Sequence, residues 1–361
     1  MKINGKKFID TLAALSKIAI KDNAPENANT VTLYCVNNAL QMVATNSKIQ
    51  VAAKIDAETD AEKWTESLDL GELVKKLPAV INTKDKEALI EIRKNENNII
   101  FCGIGELTTS TVANKITSFI SIPDDNFSAS FMSHELISAI NATYLAVDAV
   151  NDVMSNIKID FNAEKESLGM MAINGLLVCI YDVPLEDINP NCASKSTLVA
   201  GKTLKSAIDV LSLVSDDEMK LTFSDNYLGL SSGDLKIVIP VRNNNFVDFE
   251  KLMNNEINST VVFNVKELKK DITATNKVVK QNITFSFDGN VASLTASGFS
   301  KPINVVSSDV VKFTLPIDLV KNVISVVTGT TIQFGISHTG IIEISVPDND
   351  MLKYITTRCR E

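Results

Sequence analysis

Histidine and tryptophan are almost missing from this chain of 361 residues, with His134, His338 and Trp64 the only examples. Neither histidine sits at a metal-ligand spacing or in a recognisable triad order, so the sequence offers no imidazole-based catalysis and no metal site. His134 stands at a helix start and His338 precedes Thr339-Gly340 in a turn, which predicts solvent-exposed structural roles for both. Trp64, beside Glu62, Lys63 and Glu66, provides no stacking platform for a single nucleic-acid strand. Cysteine is scarce too: Cys35, Cys102, Cys179, Cys192 and Cys359 are odd in number and far apart, without a Cys-x-x-Cys pair, which argues against a disulfide framework or a zinc site. They read as reduced, mostly buried small hydrophobes. No apolar run approaches the roughly 20 residues of a membrane helix. The opening Met1-Lys2-Ile3-Asn4-Gly5-Lys6-Lys7 leads into an amphipathic stretch broken by Asp10, not into an apolar block with a cleavage site, so a cytoplasmic protein is expected.

Positive charge is also in short supply, with 35 basic against 44 acidic side chains, a net charge of −9 and a pI near 5.0. Nucleic-acid affinity comes largely from Lys and Arg neutralising phosphates, so this balance argues against such a partner unless the basic residues gather on one surface. What the chain does have is core: 45% hydrophobic and 22% charged residues are values of an ordinary globular protein, and the length allows two or three domains.

The chain repeats itself with a period of about 130 residues, domain-sized and too long for a solenoid unit. Amphipathic helices are predicted near 6–20, 134–150 and 265–280. Their apolar residues, Phe8, Leu12 and Leu15, then Leu136, Ile140, Tyr144 and Val147, then Val265, Leu268, Ile272 and Val279, keep helical spacing. Each helix is followed by alternating strands around a turn: Val31, Leu33 and Cys35, Asn37-Asn38, then Leu40, Met42 and Ala44 in the first third. Ile157, Ile159 and Phe161 lead into the polar run Asn162–Ser167 in the second. In the last, Ile283, Phe285 and Phe287 precede Asp288-Gly289, a pair suited to a tight hairpin. A second helix begins at Gly71-Glu72, Gly201-Lys202 and Pro316-Ile317, with Pro316 expected in the first turn. Strands around 88–92, 219–223 and 331–334 close the unit. Polar, turn-rich junctions fall at 123–127 and 243–246. The predicted fold is α+β, with three repeated domains at 1–124, 125–246 and 247–361.

On a helix of 100° per step, Lys266, Lys269, Lys270, Lys277 and Lys280 fall within an arc of about 100°, apart from an apolar arc of about 60°. Lys6, Lys17 and Lys21 share one side of the first helix, and Lys75, Lys76, Lys202, Lys205 and Lys321 add charge on the second helices. The opening helix of the middle third breaks the trend, carrying Glu135, Asp148 and Asp152 and no lysine. Lysines on one exposed helix ordinarily serve solubility; their recurrence on equivalent helices instead suggests a surface that holds phosphates without reading bases.

Two other motifs look chemical and fail. Ala200-Gly201-Lys202-Thr203 ends like a phosphate-binding loop, but Ser196 occupies the place of the required upstream glycine and Thr197-Leu198-Val199 is not glycine-rich. The acidic run Ser215-Asp216-Asp217-Glu218 has no patterned cation loop and reads as a solvated connection.

Several stretches resemble the bacterial DNA sliding clamp, the beta subunit of DNA polymerase III, along nearly the whole chain. Met170–Val178 is similar to the family's middle-domain strand and turn, commonly Ala-Thr-Asp-Gly-His-Arg-Leu. Val241–Phe249 resembles its link into the third domain, usually Asp-Gly-x-Phe-Pro-Asp-Tyr. Tyr354–Glu361 resembles its C-terminal strand. The resemblance implies a protein without catalysis or cofactor: three domains with two inner helices each and outer antiparallel sheets, two copies joined head to tail around duplex DNA. It implies inner-helix contacts from the lysines above and a subunit junction between Leu107 and the partner copy's helix around Val278. It also implies a groove for short peptides of polymerase, clamp loader and repair proteins. Met154, Ile173, Gly175, Leu176, Leu177 and Val178 would form one wall. Val247, Lys251, Leu252, Thr314, Ile317, Ile341, Ile355, Thr357, Arg358, Cys359 and Arg360 would form the other. Leu176-Leu177 replaces the usual His-Arg and Arg358-Cys359 the usual Pro-Met, so the favoured peptide is expected to differ. The rival reading is a repeat-built interaction scaffold that never encircles DNA.

Overall fold

A computed structural model describes residues 1–18, 29–36, 38–46, 48–58, 63–113, 119–120, 128–162, 164–188, 194–214, 218–247, 253, 255–288, 291–296 and 298–359, to which the structural statements here refer. The chain forms two compact units: Met1–Ile137 with Leu185–Ala193 and Thr203–Arg242, and Ser138–Pro184 with Ser194–Lys202 and Asn243–Glu361.

In the first unit, one antiparallel sheet runs in the order Trp64–Asp69, Thr30–Val36, Ala39–Thr45, Gln50–Glu58, Leu235–Arg242, Tyr227–Ser232, Glu218–Phe223, Ser128–Met132 and Asp187–Ile188. The far end of Gln50–Glu58 also pairs with Lys2–Asn4, which begins a second sheet through Leu89–Asn95 and Asn98–Cys102 to Glu106–Ser110. The second unit repeats this plan. Its larger sheet runs Lys195–Ala200, Asn156–Asn162, Ser167–Ile173, Leu177–Pro184, Asn349–Thr357, Ile341–Val346, Thr331–Ser337, Ile257–Asn264 and Ser307–Ser308. Its smaller one runs Phe299–Pro302, Ala292–Ala296, Asn282–Phe287 and Val311–Pro316. In each unit a strand of one third pairs with a strand of the next, Val51 opposite Ile237 and Val178 opposite Ile355.

The helices are α1 (Gly5–Ser16), α2 (Leu70–Lys76), α3 (Ser133–Tyr144), α4 (Gly201–Val214), α5 (Val265–Thr275) and α6 (Ile317–Val326). Each follows a strand without an intervening loop. Where the strand ends in Asn or Asp, that side chain caps the helix: Asn4 accepts from the Lys7 amide at 2.8 Å, Asp69 from Glu72 at 2.7 Å and Asn264 from Glu267 at 3.1 Å. The amides satisfied this way have no partner within their helix. α1 packs beside α2, and α5 beside α6. Beneath α1 the Phe8 ring stacks on Phe101 at 5.7 Å, and in the second unit Phe285 stacks on Phe313 at 4.9 Å. Alternation along the strands fixes which residues face inward: Val31, Leu33, Leu40 and Met42 are fully buried, as are Ile157, Ile159, Ile283 and Phe285.

Three helix expectations need correction. α5 ends at Thr275, so Lys277 lies in the turn that follows and Lys280 beyond it; the Lys277 amide bonds back to Ala274 and those of Val278 and Val279 to Thr275, tightening the chain out of the helix. α3 ends at Tyr144 and leaves Val147, Asp148 and Asp152 outside it. Pro316 precedes α6 as its cap residue, with an extended ψ of 132°, instead of occupying the first turn. The junction at 123–127 lies outside the described residues. No described helix is long and apolar enough to cross a membrane.

Candidate functional site

The lysine set divides by what surrounds each ammonium. On α1, Lys6 is held by Asp10 at 2.9 Å; on α2, Lys76 by Glu72 at 2.6 Å; on α4, Lys205 by Asp209. Each of these pairs spans one helical turn and adds no net charge to its face. Lys17 closes the end of α1, and Lys75, Lys202 and Lys321 are exposed on α2, α4 and α6. Lys266, Lys269 and Lys270 are exposed on α5, and Lys277 just after it. Among the described residues none of these last four meets a carboxylate. Lys280 donates to the Asn276 carbonyl, and Lys21 lies outside the described residues. The structure thus brings Lys6, Lys17, Lys75 and Lys76 onto one packed helix pair and Lys266, Lys269, Lys270 and Lys321 onto another. The Gly-Lys-Thr motif has a packing explanation: a Cβ on Gly201 would lie 2.7 Å from Val147 Cγ2, so glycine is what lets α4 start there. Thr203 is buried.

The second candidate surface is built around the pairing of Leu177–Pro184 with Asn349–Thr357. Ile173, Val178, Ile180 and Ile355 form a buried apolar cluster, flanked by half-buried Met171, Phe246, Val247 and Ile341. The turn before Leu177 is set by Asn174, whose Oδ1 accepts from the amides of Leu176 (2.9 Å) and Leu177 (2.8 Å). Thr356 Oγ1 donates to the Leu176 carbonyl at 2.7 Å and ties this turn to the C-terminal strand. Leu176 itself is 63% exposed, a large apolar side chain at the rim, and a Cβ on Gly175 would meet nothing within 4 Å.

Beyond the apolar cluster, Lys312, Phe313, Thr314, Thr339, Gly340, Thr357, Arg358 and Cys359 line an open depression of about 690 Å³. Its C-terminal wall is fastened by backbone bonds from Arg358 to the Gly340 carbonyl and from Cys359 to that of Thr314, both 2.9 Å. Gly340 has φ +84°, and a Cβ there would lie 2.7 Å from Arg358 Nε, so the guanidinium arm rests directly on this glycine. No described lining residue is acidic, in a chain of net charge −9. Beneath the same strand, Tyr354 donates to the Ala142 carbonyl at 3.0 Å, and burial raises its pKa. Neighbouring Cys179 has its thiol pushed up to about 12, first of all by burial.

Of the expected groove residues, Ile173, Val178, Ile355, Ile341 and Val247 meet in one cluster, and Thr314, Thr357, Arg358 and Cys359 in the adjoining depression. Met154 is half-buried in the chain before Asn156–Asn162. Ile317 is a correction: as the first residue of α6 it is fully buried, its amide bonded to the Gln281 carbonyl, and it offers no surface to a ligand. Lys251, Leu252 and Arg360 lie outside the described residues. Sequence reasoning missed Phe246, Lys312, Thr339 and Gly340. Thr339-Gly340 was legible only as a turn, and nothing local signalled that the C-terminal strand would fold onto it. Leu107 is half-buried on Glu106–Ser110, a strand paired on one side only among the described residues, and Val278 is 68% exposed. The described residues contain no cluster of His, Cys, Asp and Glu fit for a metal. His134 and His338 are both exposed.

No family model and no curated protein matches the sequence. Solved structures do match. The DNA polymerase III subunit beta from Pseudomonas aeruginosa aligns with a TM-score of 0.85 at 14% identity, covering 100% of both chains. The beta subunit from the DNA polymerase of Streptococcus pyogenes gives 0.87 at 13% identity, covering 100% of this chain and 99% of its own. The DNA polymerase III beta subunit from Thermotoga maritima gives 0.85 at 14%, again covering 100% and 99%. The chain has the α+β sliding-clamp fold along its whole length, as the sequence resemblance implied.

Proposed function

We propose that this chain, which carries the fold of the bacterial sliding clamp from end to end, works as one: a processivity factor without catalysis of its own. Two copies join head to tail into a ring around duplex DNA, and the ring tethers a replicative polymerase, a clamp loader and repair proteins. Each copy contributes three clamp domains, 1–124, 125–246 and 247–361. A contact between unlike surfaces closes into a ring when its rotation closes, and attachment to DNA then becomes topological, so individual contacts stay weak enough for sliding. In this reading the edge strand bearing Leu107 meets the partner copy around exposed Val278. Lysines of the inner helices face phosphates, and partner peptides enter the groove between Ile173, Val178 and Ile355 and the Arg358 wall. The protein acts in the cytoplasm, where replication of a bacterial or phage genome takes place.

The observation that carries this proposal is the full-length fold match combined with a groove whose apolar floor and rim come from the very stretches that resemble the family. A few buried anchors dominate the energy of such a peptide site. The test is topological. Loaded onto nicked circular DNA, the protein should remain bound at moderate salt and run off when the circle is linearised. A scaffold that never encircles DNA would be indifferent to the cut, and that result would sink the proposal. Ile173→Asp should abolish polymerase stimulation while leaving the dimer and its retention on circles intact.

A further inference from the structure

We infer that the electrostatic hold on DNA is concentrated on one helix of each copy, α5 with the turn after it, and is not shared evenly among the lysine-bearing helices. The inference rests on the clamp reading and says which residues do its phosphate work. Phosphate binding depends on net positive charge presented to the backbone, because only uncompensated lysines release counterions from the duplex. Lys6, Lys76 and Lys205 fail that condition. Each sits one turn from a carboxylate that holds it, Asp10, Glu72 and Asp209, so a phosphate approaching the ammonium meets a negative charge beside it. α3 carries Glu135 and no lysine at all.

α5 is built differently. Residues 265–280 hold five lysines against the carboxylates of Glu267 and Asp271. Among the described residues Asp271 is paired with Lys301, itself basic, and with none of the five. Glu267 lies in the first turn, where a carboxylate suits the positive end of the helix dipole. Lys266, Lys269 and Lys270 stand exposed on the helix, and Lys277 continues the patch beyond it. Lys277 lies two residues past the helix end at Thr275 and is exposed, as the three helical lysines are. In a chain of net charge −9 this is a cationic patch large enough to compete for a polyanion, and sequence-blind duplex contact needs nothing more specific.

The experiment compares two variants of the full-length dimer with wild type. One carries Lys266→Gln, Lys269→Gln, Lys270→Gln and Lys277→Gln, the other Lys6→Gln, Lys76→Gln and Lys205→Gln. Affinity for a fluorescent primed duplex is read by polarisation between about 50 and 200 mM salt, with size-exclusion chromatography checking that the dimer persists. The α5 variant should flatten the log–log salt slope by about 3 to 4 per copy, near 0.9 for each lost lysine, and the control variant by less than about 1. Equal loss per lysine in the two variants, or a wild-type slope in the α5 variant, would overturn the inference while leaving the clamp reading untouched. Failure of wild type to distinguish circular from linear DNA would instead remove the clamp reading, and this inference with it.

Discussion

Burial governs the reactivity expected of Cys179, against the smaller opposing pull of hydrogen bonds with Thr143 and Tyr354. Its thiol is fully buried beside Thr143 and Tyr354, and desolvation of the thiolate pushes its pKa up to about 12. The thiolate is the nucleophile, so native protein treated with iodoacetamide near neutral pH should label half-buried Cys102 and Cys359 and spare Cys179, with Cys179 reacting only after denaturation; mass spectrometry of the alkylated peptides reads this directly. The folded pKa lies above the unfolded one, so the contribution is intact below the ordinary thiol range. As pH climbs from there towards about 12, the unfolded chain loses a proton that the folded chain keeps, and stability falls. Tyr354→Phe removes the donor to the Ala142 carbonyl and should cost about 1–2 kcal/mol, seen as a lowered urea midpoint. Gly340→Ala combines a positive φ with a Cβ pressed onto Arg358, and should cost about 1–2 kcal/mol. If the proposed peptide groove is right, it should also weaken peptide binding there as the arm is displaced. Residue identities were legible where alternation marks the inside, as at Leu33 and Phe285. Ile317 was not, because matching a family position along the chain does not say which way a side chain points at a strand-to-helix junction.

At the scale of elements, the capped strand-to-helix step is the recurring device. Asn4 and Asn264 occupy the same place in the first and last thirds, each ending a strand and accepting from the third residue of the following helix. Asn4→Ala and Asn264→Ala should each cost about 1 kcal/mol, and hydrogen exchange should show the loss as faster exchange confined to the first turn of α1 or α5. Asn4 has a second role, donating to the Lys86 carbonyl at 2.7 Å, so its removal should also loosen the chain before Leu89–Asn95. The caps were legible in principle, as Asn immediately before an apolar-periodic run. The helix ends were not, since Lys277 and Lys280 continue the basic spacing past the point where β-branched Thr273 and Thr275 and then Asn276 weaken the helix. Periodicity tells which face a residue would occupy, and termination is decided by backbone bonds that periodicity does not register.

For the whole molecule, the repeat was legible because each third restates the same order of apolar spacing, and the joins between thirds were not. Val178 meets Ile355 and Val51 meets Ile237 across separations that no local pattern encodes, and each pairing strand reads in sequence like any other half-buried strand. Those joins make a prediction about fragments. Cutting the chain between Phe246 and Val247 leaves Asn349–Thr357 with one neighbour in place of two and uncovers Ile355 and Val178 together. An unpaired apolar edge invites association. Residues 247–361 expressed alone should therefore self-associate, and the amides of Leu352–Thr356 that face Leu177–Pro184 should exchange fast. Adding residues 1–246 should restore their protection and yield a one-to-one complex. A fragment that stays monomeric, with those amides as slow as in the intact chain, would show that the last third holds its edge without the ladder, and that the joins between thirds position their strands without stabilising them.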